Sequence, residues 1–134
     1  MPPRSRFVEK AKYSNYARKS EEFERAAEGA ATRGDWNAAV SNAIHSGISM
    51  ADAVAVFYLG KRSAAQGHDE AVSILRQLDI EKQEIERAAS HLTELLKVRN
   101  VAEYEERLLS RRDSEQAMIH LRRFMTWARG KLPR

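Results

Sequence analysis

Residues 36–59 read WNAAVSNAIHSGISMADAVAVFYL, and this stretch decides the fold. Trp36, Val40, Ala43, Ile44, Gly47, Ile48, Ala51, Ala55 and Tyr58 fall at steps of three and four. That is the spacing of one helix face, not of a strand. Gly34, just ahead, suits the left-handed end of a preceding helix, Asp35 suits an N-cap, and Gly60 suits a stop. The same periodicity recurs at Ile85, Ala88, Ala89, Leu92, Leu95 and Leu96, and again at Ala117, Leu121, Phe124, Met125, Ala128 and Leu132. No segment alternates apolar and polar residues long enough to predict a sheet. The expected architecture is all-α, an antiparallel bundle of four to five helices. The first helix is predicted from Arg6 to Arg33, interrupted near Ser14–Ser20, followed by 36–59, 69–78 and 80–99. Ser110 and Asp113 resemble a capping box that opens the last helix, which runs to about Arg129 before Gly130 and Pro133 end it.

A chain of 134 residues, 43% apolar and 31% charged, suits one domain over 1–134 that buries a core without staples. The core is expected over about 20–130, behind a basic N-terminal extension, 1–19. The absence of Cys excludes disulfides, a thiolate nucleophile and Cys-ligated metal. The longest apolar run, Ala53 to Leu59, is too short to span a bilayer, and no apolar signal segment follows Pro2-Pro3-Arg4. These features lead us to expect a soluble cytoplasmic protein with no membrane association. The net charge of +4 is uneven: residues 1–19 carry +5, residues 20–106 carry −7 and residues 107–134 carry +6. Basic ends of this kind attract phosphate backbones in a salt-dependent way, and they also simply solvate helix surfaces.

Most catalytic patterns fail on spacing. The residues three before His45, His68, His91 and His120 are Asn42, Ala65, Ala88 and Ala117, so the Glu-x-x-His pairs of di-metal bundles are missing. No two His stand four apart, the six Gly are dispersed, and no Ser-centred nucleophile elbow occurs. No metal and no cofactor are therefore expected. The Gly34-Asp35-Trp36 turn resembles that of a tetratricopeptide unit, but no matching helix pair follows 34 residues later.

What remains is the loop Gly60-Lys61-Arg62-Ser63-Ala64-Ala65-Gln66-Gly67-His68. A His at the first turn of a helix is disfavoured as imidazolium, because the helix end is partially positive, so it stays able to take a proton. Arg62 and Lys61 beside it suit an anion such as a phosphodiester. Neutral imidazole plus guanidinium suffices for RNA cleavage through the ribose 2′-hydroxyl. The same residues also fit an ordinary solvent loop.

Arg62-x5-His68, with polar Ser63 directly after the Arg, resembles the hallmark of the HEPN family, small helical domains with Arg, four to six residues, then His. The resemblance extends to Trp36–His45 with Asp52-Ala53 before Gly60, and to Lys97-x-Arg99-Asn100-Val101-Ala102-Glu103-Tyr104 followed by Ser110, covering roughly residues 20–130. It implies a bundle whose dimer brings two Arg–His loops into one cleft. It further implies a metal-independent endoribonuclease, often a toxin paired with a nucleotidyltransferase-type antitoxin. Arg62 would hold the scissile phosphate and His68 would act as general base or acid. Two positions depart from the pattern. Glu70 stands where some family toxins carry a Tyr that the antitoxin adenylylates, and Asp69 and Glu70 set two carboxylates beside the phosphate site.

Supporting roles fall to Asp52, which shares a stripe of the second helix with His45 and is expected to orient Arg62 or His68, or else to be satisfied at a helix interface. His45 is expected to pack, Tyr104 to stack on a base or sit on a rim, and Trp36 and Trp127 to lie in the core. Ala43, Gly47 and Ala51 are expected to let helices approach at a two-fold axis. The first functional reading is a homodimeric ribonuclease acting on RNA. The alternatives are a non-catalytic module that binds a nucleotide or protein partner in the dimer cleft, and a plain structural bundle.

Overall fold

The computed structural model describes residues 4–64 and 68–133, without the side chains of His68, Asp69 and Glu103. Four long helices, α1 (Tyr13–Arg33), α2 (Trp36–Leu59), α4 (Lys82–Leu96) and α6 (Arg111–Lys131), are joined by two short ones, α3 (His68–Leu75) and α5 (Arg99–Tyr104). The predominantly helical class read from the periodicity holds. Among the described residues, no helix is long and apolar enough to cross a membrane.

α2 occupies the centre because its sequence gives it almost no polar side. Ala39, Val40, Ala43, Ile44, Ser46, Gly47 and the whole run Met50–Val56 are buried. A helix apolar all round has to be covered all round. α1 folds back along one side after Gly34, whose φ of 79° supplies the left-handed turn. α6 covers another side and runs in the same direction as α2, a departure from the strictly antiparallel bundle expected. Tyr58 Oη donates to the Lys131 carbonyl at one end (2.5 Å), and Leu109 N donates to Asn37 Oδ1 at the other (2.7 Å). α4 lies antiparallel to α6, with Trp127 Nε1 donating to Glu84 Oε2 (2.8 Å) near its start.

Small residues set how closely these helices approach. A Cβ on Gly47 would lie 2.7 Å from Leu95 Cδ2 and 3.3 Å from Leu92 Cδ1. The stripe of Ala43, Gly47 and Ala51, expected at a dimer axis, is therefore buried inside the chain, with Gly47 filled by α4. Ser20 and Ser46 make a reciprocal clasp between α1 and α2. Each hydroxyl donates to the other residue's carbonyl, at 2.7 and 2.8 Å, and Met125 Sδ of α6 closes the cluster. With its hydroxyl occupied across the interface, Ser20 does not compete for its own helix, and α1 runs unbroken where an interruption near Ser14–Ser20 was expected.

Several boundaries need correction. The chain does not enter a helix at Arg6: Ser5–Phe7 forms a strand, β1, antiparallel to Lys61–Ser63, β2, and a 3-10 turn at Lys10–Lys12 leads into α1. Three-residue strands are too short for alternation to reveal. Asp35 stands at the N-cap of α2 but makes no capping bond, its carboxylate being held by Arg33 Nε at 3.2 Å. Trp36 and Trp127 are half-buried at the rim of the core, not within it. α4 is shorter than predicted at both ends, and α5 begins where it was expected to finish. The Ser110–Asp113 capping box forms with both of its bonds, and Gly60 ends α2 with φ 67°.

Two outcomes follow from this packing. Gly47→Val should cost about 1–3 kcal/mol in urea unfolding through overpacking against Leu95, whereas Gly130→Ala, where nothing lies within 4 Å, should gain roughly 0.5–1 kcal/mol from helix propensity. The second concerns His91, whose Nδ1 lies 3.2 Å from His120 Nδ1 across α4 and α6. Burial, then the charges of His120 and Arg123, hold the His91 ring below the ordinary imidazole range. The unfolded chain binds that proton more readily, so the stability is present above pH ~6.5 and is lost as pH falls through the lowered value. Thermal melting between pH 7.5 and 5 should show a larger decline for the wild type than for His91→Gln.

Candidate functional site

The site is built outward from Asp52, which lies on α2 and is only 6% exposed. Its Oδ1 accepts from Ser63 N (3.0 Å) and from Ser63 Oγ (2.8 Å). Burial raises the Asp52 pKa above the ordinary carboxylate value, against the opposing pull of the Ser63 donors and the Arg62 charge. Asp52 therefore does not clamp Arg62 directly. It fastens Ser63, and through the backbone it fixes where Arg62 must stand. The sequence placed Asp52 in support of the site, and the structure assigns that support to the strand.

Arg62 lies on β2, half-buried, with Nη1 donating to the Ser63 carbonyl at 3.0 Å. It stands at the rim of an open groove of about 450 Å³ between α1 and α2, lined by Tyr16, Lys19, Glu22, Phe23, Ser49 and Asp52 besides Arg62 itself. Tyr16, Lys19 and Phe23 escaped the sequence reading. Their signal was an aromatic–basic–aromatic spacing of three and four on α1, which the assignment of residues 1–19 to an extension split in two. Lys61 is half-buried on β2 opposite Phe7.

His68 is the first residue of α3, so its backbone holds the helix-start position expected of it. Its side chain lies outside the described residues, as does that of Asp69. Glu70 is turned toward the N-terminal arm, with Oε1 3.7 Å from Arg4 Nε, which draws one of the two carboxylates into an ion pair.

The remaining candidates divide. His45 stacks on Phe23, with ring centroids 5.3 Å apart, and so borders the groove two turns along α2 from Asp52. Tyr104 is 70% exposed and does not line the groove. Its hairpin is tied to the first turn of α2 through Asn37, about 22 Å of helix away from Asp52. Among the described residues, no three His, Asp or Glu gather as a metal would require. Comparison with protein families, curated proteins and solved structures returns no match to this chain.

The arrangement offers one guanidinium on a strand pinned by Asp52, with a second cation and two aromatic rings along an open groove. That combination suits a phosphate and an adjoining flat base. Removing the buried acceptor tests the foundation. Asp52→Ala should cost about 1–3 kcal/mol in chemical unfolding by leaving the Ser63 donors unpaired, and Asp52→Asn, which keeps an oxygen acceptor, should cost less.

Proposed function

We propose that this chain is a HEPN-like endoribonuclease that cuts RNA through the ribose 2′-hydroxyl without a metal ion. The observation that supports it most is the placement of Arg62 on a strand pinned by Asp52, at the edge of a groove and just ahead of a helix that starts at His68. In this reading Arg62 donates to the non-bridging phosphate oxygens and stabilises charge that grows there. His68 takes the 2′-hydroxyl proton, the 2′-oxygen bonds to phosphorus, and the bond from phosphorus to the 5′-oxygen breaks as that oxygen takes a proton from solvent water. The products are a 2′,3′-cyclic phosphate and a free 5′-hydroxyl.

The reading includes a homodimer that faces two such loops across one cleft, a cytoplasmic setting, and the role of a toxin with a nucleotidyltransferase-type antitoxin. The pairing draws on the groove-bearing side of α1 and β2, because the small-residue stripe of α2 is already filled by the chain's own helices. Glu70 at the position of the modifiable Tyr removes adenylylation at that site from the proposal.

Incubating wild type, Arg62→Ala and His68→Ala with total RNA tests the chemistry. Each substitution should lower the rate by on the order of 10²-fold or more, and the double variant should be little worse than the slower single one. Cleavage should survive a chelator and leave cyclic phosphate ends, and light scattering should give twice 15.3 kDa. Equal cleavage by wild type and His68→Ala overturns the assignment of His68. Binding of RNA by a wild type that never cuts it gives the non-catalytic module instead.

A further inference from the structure

The N-terminal strand places a second arginine at the site. In the β1–β2 ribbon, Arg6 is the direct cross-strand partner of Arg62, flanked by Ser5 opposite Ser63 and Phe7 opposite Lys61. Directly opposed residues of an antiparallel pair project from the same face with Cβ atoms roughly 5 Å apart, and like charges there destabilise the pairing. Among the described residues, no carboxylate lies within ion-pair distance of either guanidinium. Arg4, two residues earlier, does have a partner in Glu70. The ribbon thus sets two like charges side by side next to the groove that Arg62 lines, where the nearest acidic group, Asp52, feels the Arg62 charge but spends its hydrogen bonds on Ser63.

Nothing in the backbone forces this arrangement. The ribbon is secured elsewhere, by Val8 N to the Gly60 carbonyl (2.9 Å), Ala64 N to the Arg4 carbonyl (3.1 Å) and the Asp52–Ser63 bonds. A neutral residue at position 6 would keep all of these and remove the repulsion. A bound anion would do the same, with two planar forks converging on its oxygens.

We propose that Arg6 and Arg62 form a two-arginine clamp for one phosphodiester of a single-stranded RNA, so that the start of the chain is half of the substrate site. RNA is favoured over a free phosphate because the groove that Arg62 lines is also lined by Lys19, Tyr16 and Phe23, a cation and two rings that suit bases next to the phosphate. The inference rests on the proposed function for its ligand, but the clamp is testable apart from cleavage.

A short 2′-O-methyl oligoribonucleotide, which cannot be cut through its ribose, separates the two. Its binding to the full chain is followed by fluorescence anisotropy across a salt series. Arg6→Gln should weaken binding about tenfold and reduce the salt slope by about 0.7, the loss of one phosphate contact on a single strand. Arg112→Gln, an equal change of charge in the first turn of α6, should change affinity less than about twofold. In buffer without RNA, Arg6→Gln should melt at the wild-type temperature or above it, since a repulsion has been removed. Arg6→Lys should recover part of the affinity.

Equal losses for Arg6→Gln and Arg112→Gln would overturn the clamp in favour of diffuse attraction. A lower melting temperature for Arg6→Gln would overturn it in favour of a structural role, and absence of binding by the wild type at low salt would overturn it outright. Saturable binding to inorganic phosphate as tight as to the oligonucleotide would overturn RNA as the ligand. A wild type that cuts natural RNA while Arg6→Gln keeps full affinity and kcat/KM sinks the clamp and leaves the nuclease. Clamp behaviour with no cleavage of natural RNA does the reverse.

Discussion

A helix that leaves only a narrow polar stripe toward water imposes its own surroundings. α2 exposes Ser41, Asn42, His45 and Ser49 in part and buries Ala, Val, Ile and Gly elsewhere, and α1, α4 and α6 are arranged as its cover. The hydrophobic effect brings them together, but the small side chains decide how near they come. At Gly47 the leucines of α4 reach toward the α2 backbone itself. At Ser20 and Ser46 two hydroxyls replace apolar contact with a pair of short hydrogen bonds, and among the described residues no buried side-chain polar atom is left without a partner. The direction of α6 follows from the same demand, because the return through α3 and α4 delivers it alongside α2 in parallel.

The same helix carries the single acidic residue that the apolar cover encloses along it. Asp52 would be costly to bury alone, and two donors from Ser63 offset that cost in part. The offset ties an otherwise exposed connection to the most rigid element of the protein. Arg62 is positioned through the backbone of that strand, with Nη1 also donating to the Ser63 carbonyl. A cation held in this way keeps its remaining donors for a ligand, which is what a site on a loop needs from its scaffold.

Periodicity carried most of the fold. Residues 36–59 were legible end to end because core packing, the Gly34 and Gly60 stops and helix propensity all agree there. The last helix was legible because Ser110 and Asp113 form a local box that needs nothing from the rest of the chain. Failures arose where long-range contacts outweigh local preference. Ser5–Phe7 becomes a strand only because Lys61–Ser63 is waiting for it, more than fifty residues away. Asp35 looks like a cap but is claimed by Arg33, and the small stripe of α2 looks like an interface but meets the chain's own leucines. At the candidate site, Tyr16, Lys19 and Phe23 join Arg62 and Asp52 in one groove only because α1 lies along α2, which no local pattern reveals.

The strand β1, which joins the first residues to the middle of the chain, is three residues long and exposed at each of them. Segments of that kind open locally at far lower free energy than the core they rest on. The start of the chain can therefore detach and return while the bundle stays folded, carrying Arg6 away from Arg62 each time. Order at the N-terminus and occupancy across the ribbon become two faces of one equilibrium: whatever binds there also fastens the strand, and whatever strips the strand away releases what was bound.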